Sequence, residues 1–165
     1  QDDTPIMSVL SHALGMVESE GQHYDYLLLL DPTSPGRLPE DISAALKRLE
    51  ENPDADGIVG VSCPMFNPIW HCVVEREGWM HGLIESGGRY TRRQDVPTVY
   101  RINGMLYIWR VDFIRRAKGA WREMGKHLIY EMPEVRGIHI DDAQEFALAD
   151  LLMREGVVKL PWLNS

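Results

Sequence analysis

The sequence predicts an α/β domain with a mostly parallel sheet. Two short apolar runs, residues 26–30 and 57–62, lack the alternation of polar and apolar residues that marks a strand with one face in water. Each run follows a segment whose apolar residues recur at helical spacing. An order of helix, strand, helix and strand is typical of a parallel sheet with helices on both faces.

Composition narrows the class of protein. The 165 residues, 44% of them hydrophobic, are enough for one domain over residues 1–165. There are 17 basic and 25 acidic residues, and the net charge of −8 argues against a nucleic-acid partner, although a few arginines can still bind small anions. No apolar run approaches the roughly 20 residues of a membrane span, and the first residues do not resemble a signal peptide. We therefore expect a soluble, cytoplasmic protein with no membrane partner.

The two cysteines, Cys63 and Cys72, are too few for a disulfide framework. His71 and His81 lie nearby in the sequence, but the spacing of these four residues matches no standard zinc pattern. We therefore expect reduced, buried, structural thiols.

The first helix is signalled at both ends. Thr4 is a candidate N-cap, Pro5 suits the first turn, and Gly21 can end the helix. The strand at residues 26–30 follows, and we expect it to be buried on both faces. The predicted apolar face of the helix consists of Ile6, Val9, Leu10, Ala13 and Val17.

The middle of the chain departs from this order. A second helix is predicted from Pro39 to the Asn-Pro pair at residues 52–53, before the strand at 57–62. Two extended segments then flank the Arg-Glu-Gly sequence at residues 76–78, which predicts a β-hairpin, and a polar stretch follows it. We interpret residues 64–100 as an antiparallel excursion from the sheet.

The last part of the chain returns to alternating elements. A final helix is predicted over residues 142–154, with Gly156 as its stop. Its inward-facing residues are predicted to be Phe146, Ala149, Leu152 and Met153. The elements predicted before it are a strand at 105–109, a helix at 111–118, an extended segment at 128–132 and a short strand at 138–140.

Three segments carry polar side chains where ligands collect in parallel α/β sheets, at the ends of strands. In the first, residues 31–37, Asp31 closes a buried apolar run, and Thr33 and Ser34 offer hydroxyl groups. An ordinary strand-to-helix turn is the alternative interpretation of this loop.

The second segment is basic. It contains Arg92 and Arg93 followed by Gln94, and then Arg101 and Asn103. Guanidinium groups bind carboxylates or phosphates through two hydrogen bonds, and the glycine after Asn103 allows a ligand or the backbone to approach closely. A solvated loop with surface ion pairs is the alternative.

The third segment, residues 136–142, contains both histidine and aspartate. On an extended chain His139 and Asp141 point to the same side, and a carboxylate there can hold Mg²⁺. Alternatively, Asp141 or Asp142 is the N-cap of the last helix. Because a cap needs only one of them, the other remains available.

Four segments carry a family resemblance when they are taken in order. They are residues 28–37 (LLLDPTSPGR), 92–97 (RRQDVP), 100–108 (YRINGMLYI), and 138–141 (IHID) with the following Glu145-Phe146. Together they resemble the acylneuraminate cytidylyltransferase (CMP-sialic acid synthetase) family. The similarity extends over essentially the whole chain.

The resemblance implies a single-domain, Rossmann-like nucleotidyltransferase. Such an enzyme transfers CMP from CTP to an acidic 2-keto sugar, with Mg²⁺ neutralising charge, and releases pyrophosphate. By this resemblance Asp141 is the last aspartate of a metal-binding pair and the catalytic residue. Arg101 and Asn103 match a segment that faces the sugar, and Gln94 matches the polar stretch beside it. The loop 31–37 is closer to the sialic and legionaminic type than to the pseudaminic or Kdo type.

The resemblance also implies a homodimer. Residues 64–100 match the part through which relatives dimerise, and Arg92 or Arg93 would then reach the partner's site. Trp70, Trp79 and Met80 would lie at the interface, with packing in the local core as the alternative.

Three departures from the family are visible. The family's CTP-binding segment is expected upstream of Gln1. His139 stands where the family has an aspartate, so the metal site comprises Asp141 with His139, or Asp141 alone with another role for His139. Asp31 stands where many relatives have a sugar-contacting glutamine; we expect it to bind substrate with Ser34, or to supply the metal carboxylate lost at His139.

Two other functions remain open at this point. One is a non-catalytic homologue that binds nucleotide or sugar, or that acts as a dimerising subunit. The other is a nucleotidyltransferase for another class of sugar.

Overall fold

A computed structural model describes residues 4–162 of the chain. The segment expected before Gln1, and the ends of the domain predicted over residues 1–165, lie outside the described residues. The helices are α1 (Ile6–Ser19), α2 (Pro39–Glu50), α3 (Pro68–His71), α4 (Val111–Arg116) and α5 (Ala143–Arg154). The strands are β1 (Tyr26–Leu29), β2 (Gly57–Ser62), β3 (Val73–Arg76), β4 (Trp79–Gly82), β5 (Arg101–Arg110) and β6 (His127–Glu131).

Four strands form the main sheet, in the order β1, β5, β2 and β6. Strand β5 is antiparallel to both β1 and β2, and β2 is parallel to β6. The α/β class is therefore confirmed, but a mostly parallel, Rossmann-like sheet is not, because β5 makes two antiparallel pairings. The apolar run that predicted β5 indicates burial on both faces and carries no signal for strand direction.

Helices cover both faces of this sheet, as predicted. Adjacent residues of β2 point to opposite sides, so Val59 packs on the face covered by α1 and α4, and Ile58 packs on the face covered by α2. Along β5, Trp109 and Ile108 divide in the same way. A third, smaller cluster lies beneath α5. Within residues 4–162, none of the helices is long and apolar enough to cross a membrane.

Helix α1 has a different buried face from the predicted one. Its buried residues are Met7, Leu10 and Leu14, whereas Ile6 and Val9 are exposed. The N-cap is Pro5, and no side chain caps the helix, so the capping role predicted for Thr4 is wrong. The apolar residues of α1 are spread around the helix, and its packing against α4 and the sheet selects which of them are buried.

Strand β1 is an edge strand of the described sheet, and Leu28 is 41% exposed. The prediction that this run is buried on both faces is therefore wrong. An apolar run predicts a strand, but the burial of that strand depends on which other elements cover it.

The end of the chain differs from the prediction in two places. Residues 138–140 are extended but belong to no strand; Ile140 N–H donates to Thr33 O at 2.9 Å. In α5, Ala149 is buried as predicted. Phe146 is 62% exposed, so the prediction that Phe146 faces inward is wrong. The cluster beneath α5 contains only small and medium-sized residues and does not reach Phe146.

The hairpin predicted in the middle of the chain is confirmed. Strands β3 and β4 pair antiparallel around Glu77 and Gly78, both of which have positive φ (54° and 82°). This conformation is typical of two-residue hairpin turns. Cys63, which precedes the hairpin, is exposed, so the expectation of buried thiols is wrong for this residue.

Candidate active site

The loop 31–37 lies against the start of β5, where the second and first polar segments meet. Gly104 has a φ of +71°, and a Cβ atom there would lie 2.8 Å from Ser34 Oγ and 2.9 Å from Asp31 Oδ2. Glycine is therefore required at this position, both for its backbone conformation and for the close approach of the loop. Burial, and then the negative charge of Asp31, raises the pKa of Tyr107 on the same strand.

Arg37 fixes the shape of the same loop. Its Nη1 donates to Asp31 O and Ser34 O, both at 2.8 Å, and to Met105 O on β5 at 3.3 Å. Burial lowers the pKa of Arg37, and the charge of Asp31 opposes this effect. The loop is therefore a rigid structure, not only a connection between β1 and α2.

A buried ion pair joins the first turn of α2, directly after this loop, to the third polar segment. Arg136 donates to both carboxylate oxygens of Asp41, at 2.6 and 3.0 Å. Asp41 also accepts from Leu38 N–H at 2.8 Å, at the start of α2. Next to the pair, a Cβ on Gly36 would lie 1.9 Å from Arg136 O, so the two segments are in direct backbone contact.

Three of the predicted site residues form one hydrogen-bonded chain. His139 Nδ1 lies 3.1 Å from Ser34 Oγ, and His139 Nε2 lies 3.0 Å from Asp141 Oδ1. Ser34 is fully buried, whereas the Asp141 side chain is 72% exposed. The chain therefore runs from the interior of the domain to its surface.

Of the two neighbouring aspartates, Asp142 is the N-cap of α5. Its Oδ1 accepts from the N–H groups of Gln144 and Glu145, each at 2.8 Å. Glu145 Oε2 accepts from the Asp141 N–H at 2.7 Å. The carboxylate of Asp141 has no capping role, which confirms that one aspartate remains available for another function.

Arg101 borders a cavity of about 560 Å³. Its Nε and Nη2 donate to the two carboxylate oxygens of Glu134, at 3.3 and 3.0 Å, and Nη2 also donates to Gly137 O at 2.9 Å. His139 lines the same cavity, together with apolar side chains such as Leu148. The cavity thus combines one cation, two carboxylates (Glu134 and Glu145), an imidazole and an apolar wall, a composition suited to a small polar ligand.

Asn103, two residues after Arg101 on β5, is buried. Its Nδ2 donates to Ser62 Oγ at 3.0 Å, and its Oδ1 accepts from Met105 N–H at 3.1 Å. These bonds lie where the pairing of β2 with β5 shifts register, between Val59 and Val61. In this structure the amide of Asn103 stabilises the irregular end of the two strands.

The remaining basic residues lie apart from the cavity. Arg92 is exposed and makes two hydrogen bonds to Asp95, at 2.9 and 3.2 Å. Arg93 lines a smaller, neighbouring cavity of about 150 Å³, and Gln94 is exposed. The structure therefore brings Asp31, Ser34, Asn103, Arg101, His139 and Asp141 together, and leaves Arg92, Arg93 and Gln94 outside that group.

Four residues of the site were missed by sequence reasoning: Asp41, Glu134, Arg136 and Glu145. Asp41 and Arg136 are separated by 95 positions, and no local pattern joins them. The signal available for Glu145 was its position in the first turn of a predicted helix. The pairing of Glu134 with Arg101, 33 positions away, carries no recognisable sequence pattern.

The side chains at this site fit a divalent cation through one residue. Mg²⁺ prefers hard oxygen ligands and retains several waters, and the exposed carboxylate of Asp141 meets that requirement. Both ring nitrogens of His139 already contact other groups. Among residues 4–162, no group of three or more His, Cys, Asp and Glu side chains is placed to hold a metal ion.

The fold and site define an α/β domain with a cavity between the end of β2, the start of β5, residues 134–139 and α5. No protein-family model matches the chain. It is similar to the post-translational flagellin modification protein B of Campylobacter coli, with 26% identity over 133 residues, which cover 80% of this chain and 54% of that protein.

A second relative points to a chemistry. The chain is 29% identical over 132 residues to the CMP-N,N'-diacetyllegionaminic acid synthase of Legionella pneumophila subsp. pneumophila, covering 79% of this chain and 54% of that protein. The chain thus spans about half the length of the curated relatives it matches. These two relatives confirm the resemblance to the CMP-acidic-sugar synthetases that the four sequence segments indicated.

Proposed function

We propose that this chain is the sugar-binding part of a nucleotidyltransferase that joins CMP to an acidic 2-keto sugar of the sialic or legionaminic type. The observation that carries the proposal is the cavity of about 560 Å³ that Arg101 and His139 border, next to Asp141. The similarity to a CMP-diacetyllegionaminic acid synthase supports the choice of reaction. Because the chain spans about half of that relative, the activity of the whole protein belongs to this proposal.

The proposed reaction is a single displacement. The anomeric hydroxyl oxygen of the sugar attacks the α-phosphorus of CTP, the bond from that phosphorus to the bridging oxygen breaks, and pyrophosphate leaves. The proton of the attacking hydroxyl passes to solvent or to a basic group. Catalysis of this kind depends on positioning the two substrates and neutralising the phosphate charge.

Arg101 is the proposed contact for the carboxylate of the sugar. It lies at the cavity and points its guanidinium toward Glu134, so a substrate carboxylate would compete with Glu134 or bind an unused N–H group. Ser34, Asp31 and Asn103 lie behind it, and we propose that they define the position of the sugar ring. Arg92 and Arg93 stay proposed contacts in the site of the partner subunit, and Gln94 stays a proposed substrate contact.

Asp141 is the proposed ligand for Mg²⁺. The bound ion supplies charge neutralisation for the phosphates of CTP. The carboxylate of Asp141 is exposed and is free of the capping role that Asp142 takes, which supports this assignment. Its other ligands would be phosphate oxygens and water.

A homodimer and a cytoplasmic location are part of the same proposal. Trp79 and Met80 on β4 are 73% and 78% exposed, so the alternative that they pack in a local core does not hold. Large apolar side chains on one exposed hairpin support a role for residues 64–100 as an interface.

The test uses the full-length gene product. It is incubated with CTP, Mg²⁺ and a panel of 2-keto sugar acids, and the products are identified by mass spectrometry. We expect a CMP-linked sugar acid, and we expect Asp141→Asn to lower kcat by at least about 100-fold, as loss of a transition-state charge interaction does. Asp112→Asn is the matched control, because Asp112 is as exposed as Asp141 (82% against 72%) and also bonded to a basic side chain.

A non-catalytic homologue is the second candidate. The observation in its favour is that the guanidinium of Arg101 is bound by Glu134 within the chain itself. A folded full-length protein that binds CTP but forms no conjugate with any acid would support this candidate. A conjugate with a sugar outside the 2-keto acids would instead support the other sugar class.

A further inference from the structure

We propose that His139 is a positioning residue that orients the carboxylate of Asp141, and that it is not a metal ligand. This inference rests on the proposed function, because it assigns a role within the same site. It is carried by the hydrogen-bonded chain that joins Ser34, His139 and Asp141.

The first step is to count what the imidazole ring can do. It has two nitrogen atoms, and a metal ion needs the lone pair of one of them. Nε2 lies 3.0 Å from Asp141 Oδ1, and Nδ1 lies 3.1 Å from Ser34 Oγ and 3.5 Å from Thr33 Oγ1. Metal binding by His139 would break one of these contacts.

The second step assigns the proton. An ionised carboxylate only accepts hydrogen bonds, so the Nε2 that faces Asp141 must carry a hydrogen. In the neutral ring, Nδ1 then has the lone pair, and it accepts from the hydroxyl of Ser34, whose Oγ lies closer to Nδ1 (3.1 Å) than to Asn103 O (3.4 Å). The carboxylate of Asp141 thus selects the tautomer, and Ser34 binds the other ring nitrogen and holds the ring in place.

The third step concerns the mobility of Asp141. Its side chain is 72% exposed, and an exposed carboxylate can take several rotamers. The contact with His139 holds Oδ1 and leaves the second oxygen for a cation.

The same three residue types form the catalytic triad of serine hydrolases, and burial excludes that activity here. Ser34 is fully buried, and its Oγ also lies 3.4 Å from Asn103 O. A nucleophile must reach its substrate, and this hydroxyl is enclosed by the loop and β5. The chain is therefore suited to orienting Asp141 and not to acyl transfer.

The first experiment reads the hydrogen bonds without any activity. The ring nitrogens of His139 are observed by ¹⁵N NMR in the full-length protein and in Asp141→Asn and Ser34→Ala variants. We expect hydrogen on Nε2 and a lone pair on Nδ1, with the Nε2 signal shifted in Asp141→Asn and the Nδ1 signal shifted in Ser34→Ala. A hydrogen on Nδ1 alone, or an Nε2 signal unchanged in Asp141→Asn, would overturn the proposal.

The second experiment separates positioning from ligation. His139→Gln places an amide N–H group where Nε2 stands, whereas His139→Asn places one where Nδ1 stands. If the ring positions Asp141, the Gln variant keeps the Mg²⁺ concentration for half-maximal CMP transfer within about 3-fold, and the Asn variant raises it about 10- to 100-fold. Equal effects of the two substitutions contradict the proposal.

The two experiments also distinguish failure of this inference from failure of the proposed function. If the protein transfers no CMP but the NMR signals respond as described, the hydrogen-bonded arrangement holds and the proposed reaction is wrong. If CMP transfer is observed and the NMR signals do not respond, the reaction holds and the role of His139 is wrong.

Discussion

Two regions of this protein differ in how far contacts within the chain stabilise them. Around the candidate site, the loop 31–37 and the segment 134–142 are joined by a buried ion pair, by backbone contact and by hydrogen bonds. In the excursion, residues 64–100, the hairpin β3–β4 forms its own two-stranded sheet, and its large apolar residues are exposed. The site region is stabilised by contacts within this chain, whereas the apolar surface of the excursion has few partners within residues 4–162.

The largest effect is expected from a substitution that breaks the ion pair between Arg136 and Asp41. Arg136→Met leaves the 5% exposed Asp41 without its cation, and we expect the free energy of unfolding to fall by about 3–5 kcal/mol. Urea unfolding of the full-length protein measures this change. Arg92→Met in the excursion is the control, because it removes a two-bond pair of similar geometry from the surface. A similar loss in both variants would contradict the contrast between the regions.

The next effect tests the backbone contact. Gly36→Ala places a methyl group 1.9 Å from Arg136 O, so the loop must move, and we expect a loss of about 1–3 kcal/mol in unfolding free energy. Gly88→Ala in the excursion meets no atom within 4 Å and serves as the control. An unfolding free energy unchanged in Gly36→Ala would show that the loop is not held against residues 134–142.

A third prediction concerns acid stability at the opposite end of β2. Burial by itself raises the pKa of Asp56, but hydrogen bonds from Lys126 N–H and Arg116, and the charges of Arg116 and His127, bring it below 3.8. Because the folded pKa is depressed, this carboxylate stabilises the fold above that pH and loses its contribution as the pH falls through the lower folded value.

Asp56→Asn should therefore lower the unfolding free energy by about 1–2 kcal/mol at neutral pH, and the difference from wild type should disappear in acid. Thermal unfolding of wild type and variant between pH 7 and strongly acidic pH measures both the loss of stability at neutral pH and its disappearance in acid. Asp95→Asn, in the excursion, is the matched control, since its ion pair with Arg92 is exposed. A difference that grows in acid would mean that the pKa is raised.

The sequence was sufficient where local chemistry determines the structure. The strand at residues 57–62, the start of α2 at Pro39, the hairpin and the capping role of one aspartate before α5 follow from turn residues and burial patterns. The expectation that ligands collect at the ends of strands placed loop 31–37 and residues 136–142 in one candidate site, and these two segments are in contact. Each of these features has its cause within a few residues or in the alternation of elements.

The sequence was insufficient where distant contacts decide. The direction of β5 depends on the path of residues 64–100, and the exposure of Leu28 and Phe146 depends on which elements lie over them. The Asp41–Arg136 pair joins residues 95 positions apart. The binding of Arg101 by Glu134 changes the interpretation of a predicted substrate contact, and no spacing rule predicts it.

A fourth prediction addresses the exposed hairpin directly. The double substitution Trp79→Ser with Met80→Ser removes two exposed apolar side chains, so we expect the unfolding free energy at low protein concentration to change by less than about 0.5 kcal/mol. The dimer dissociation constant, measured by analytical ultracentrifugation, should rise by at least about 10-fold if these residues form the interface. Phe146→Ser is the control: it removes a 62% exposed aromatic residue outside the excursion and should leave the dimer dissociation constant unchanged. A monomeric wild-type protein would exclude the proposed dimer.

The smallest expected effect concerns the turn of the hairpin, at Glu77. Glu77 has a φ of 54°, a conformation that costs energy for most residues but suits asparagine in a two-residue turn before glycine. We expect Glu77→Asn to stabilise the hairpin by about 0.5–1 kcal/mol, measured as slower amide hydrogen exchange in β3 and β4. Glu77→Ala, which retains the strain, should give no such gain. Slower exchange confined to the hairpin would mean that the hairpin unfolds and refolds as its own local unit. Slower exchange in β5 and β6 as well would mean that the hairpin is coupled to the main sheet, and this outcome would contradict the contrast between the two regions.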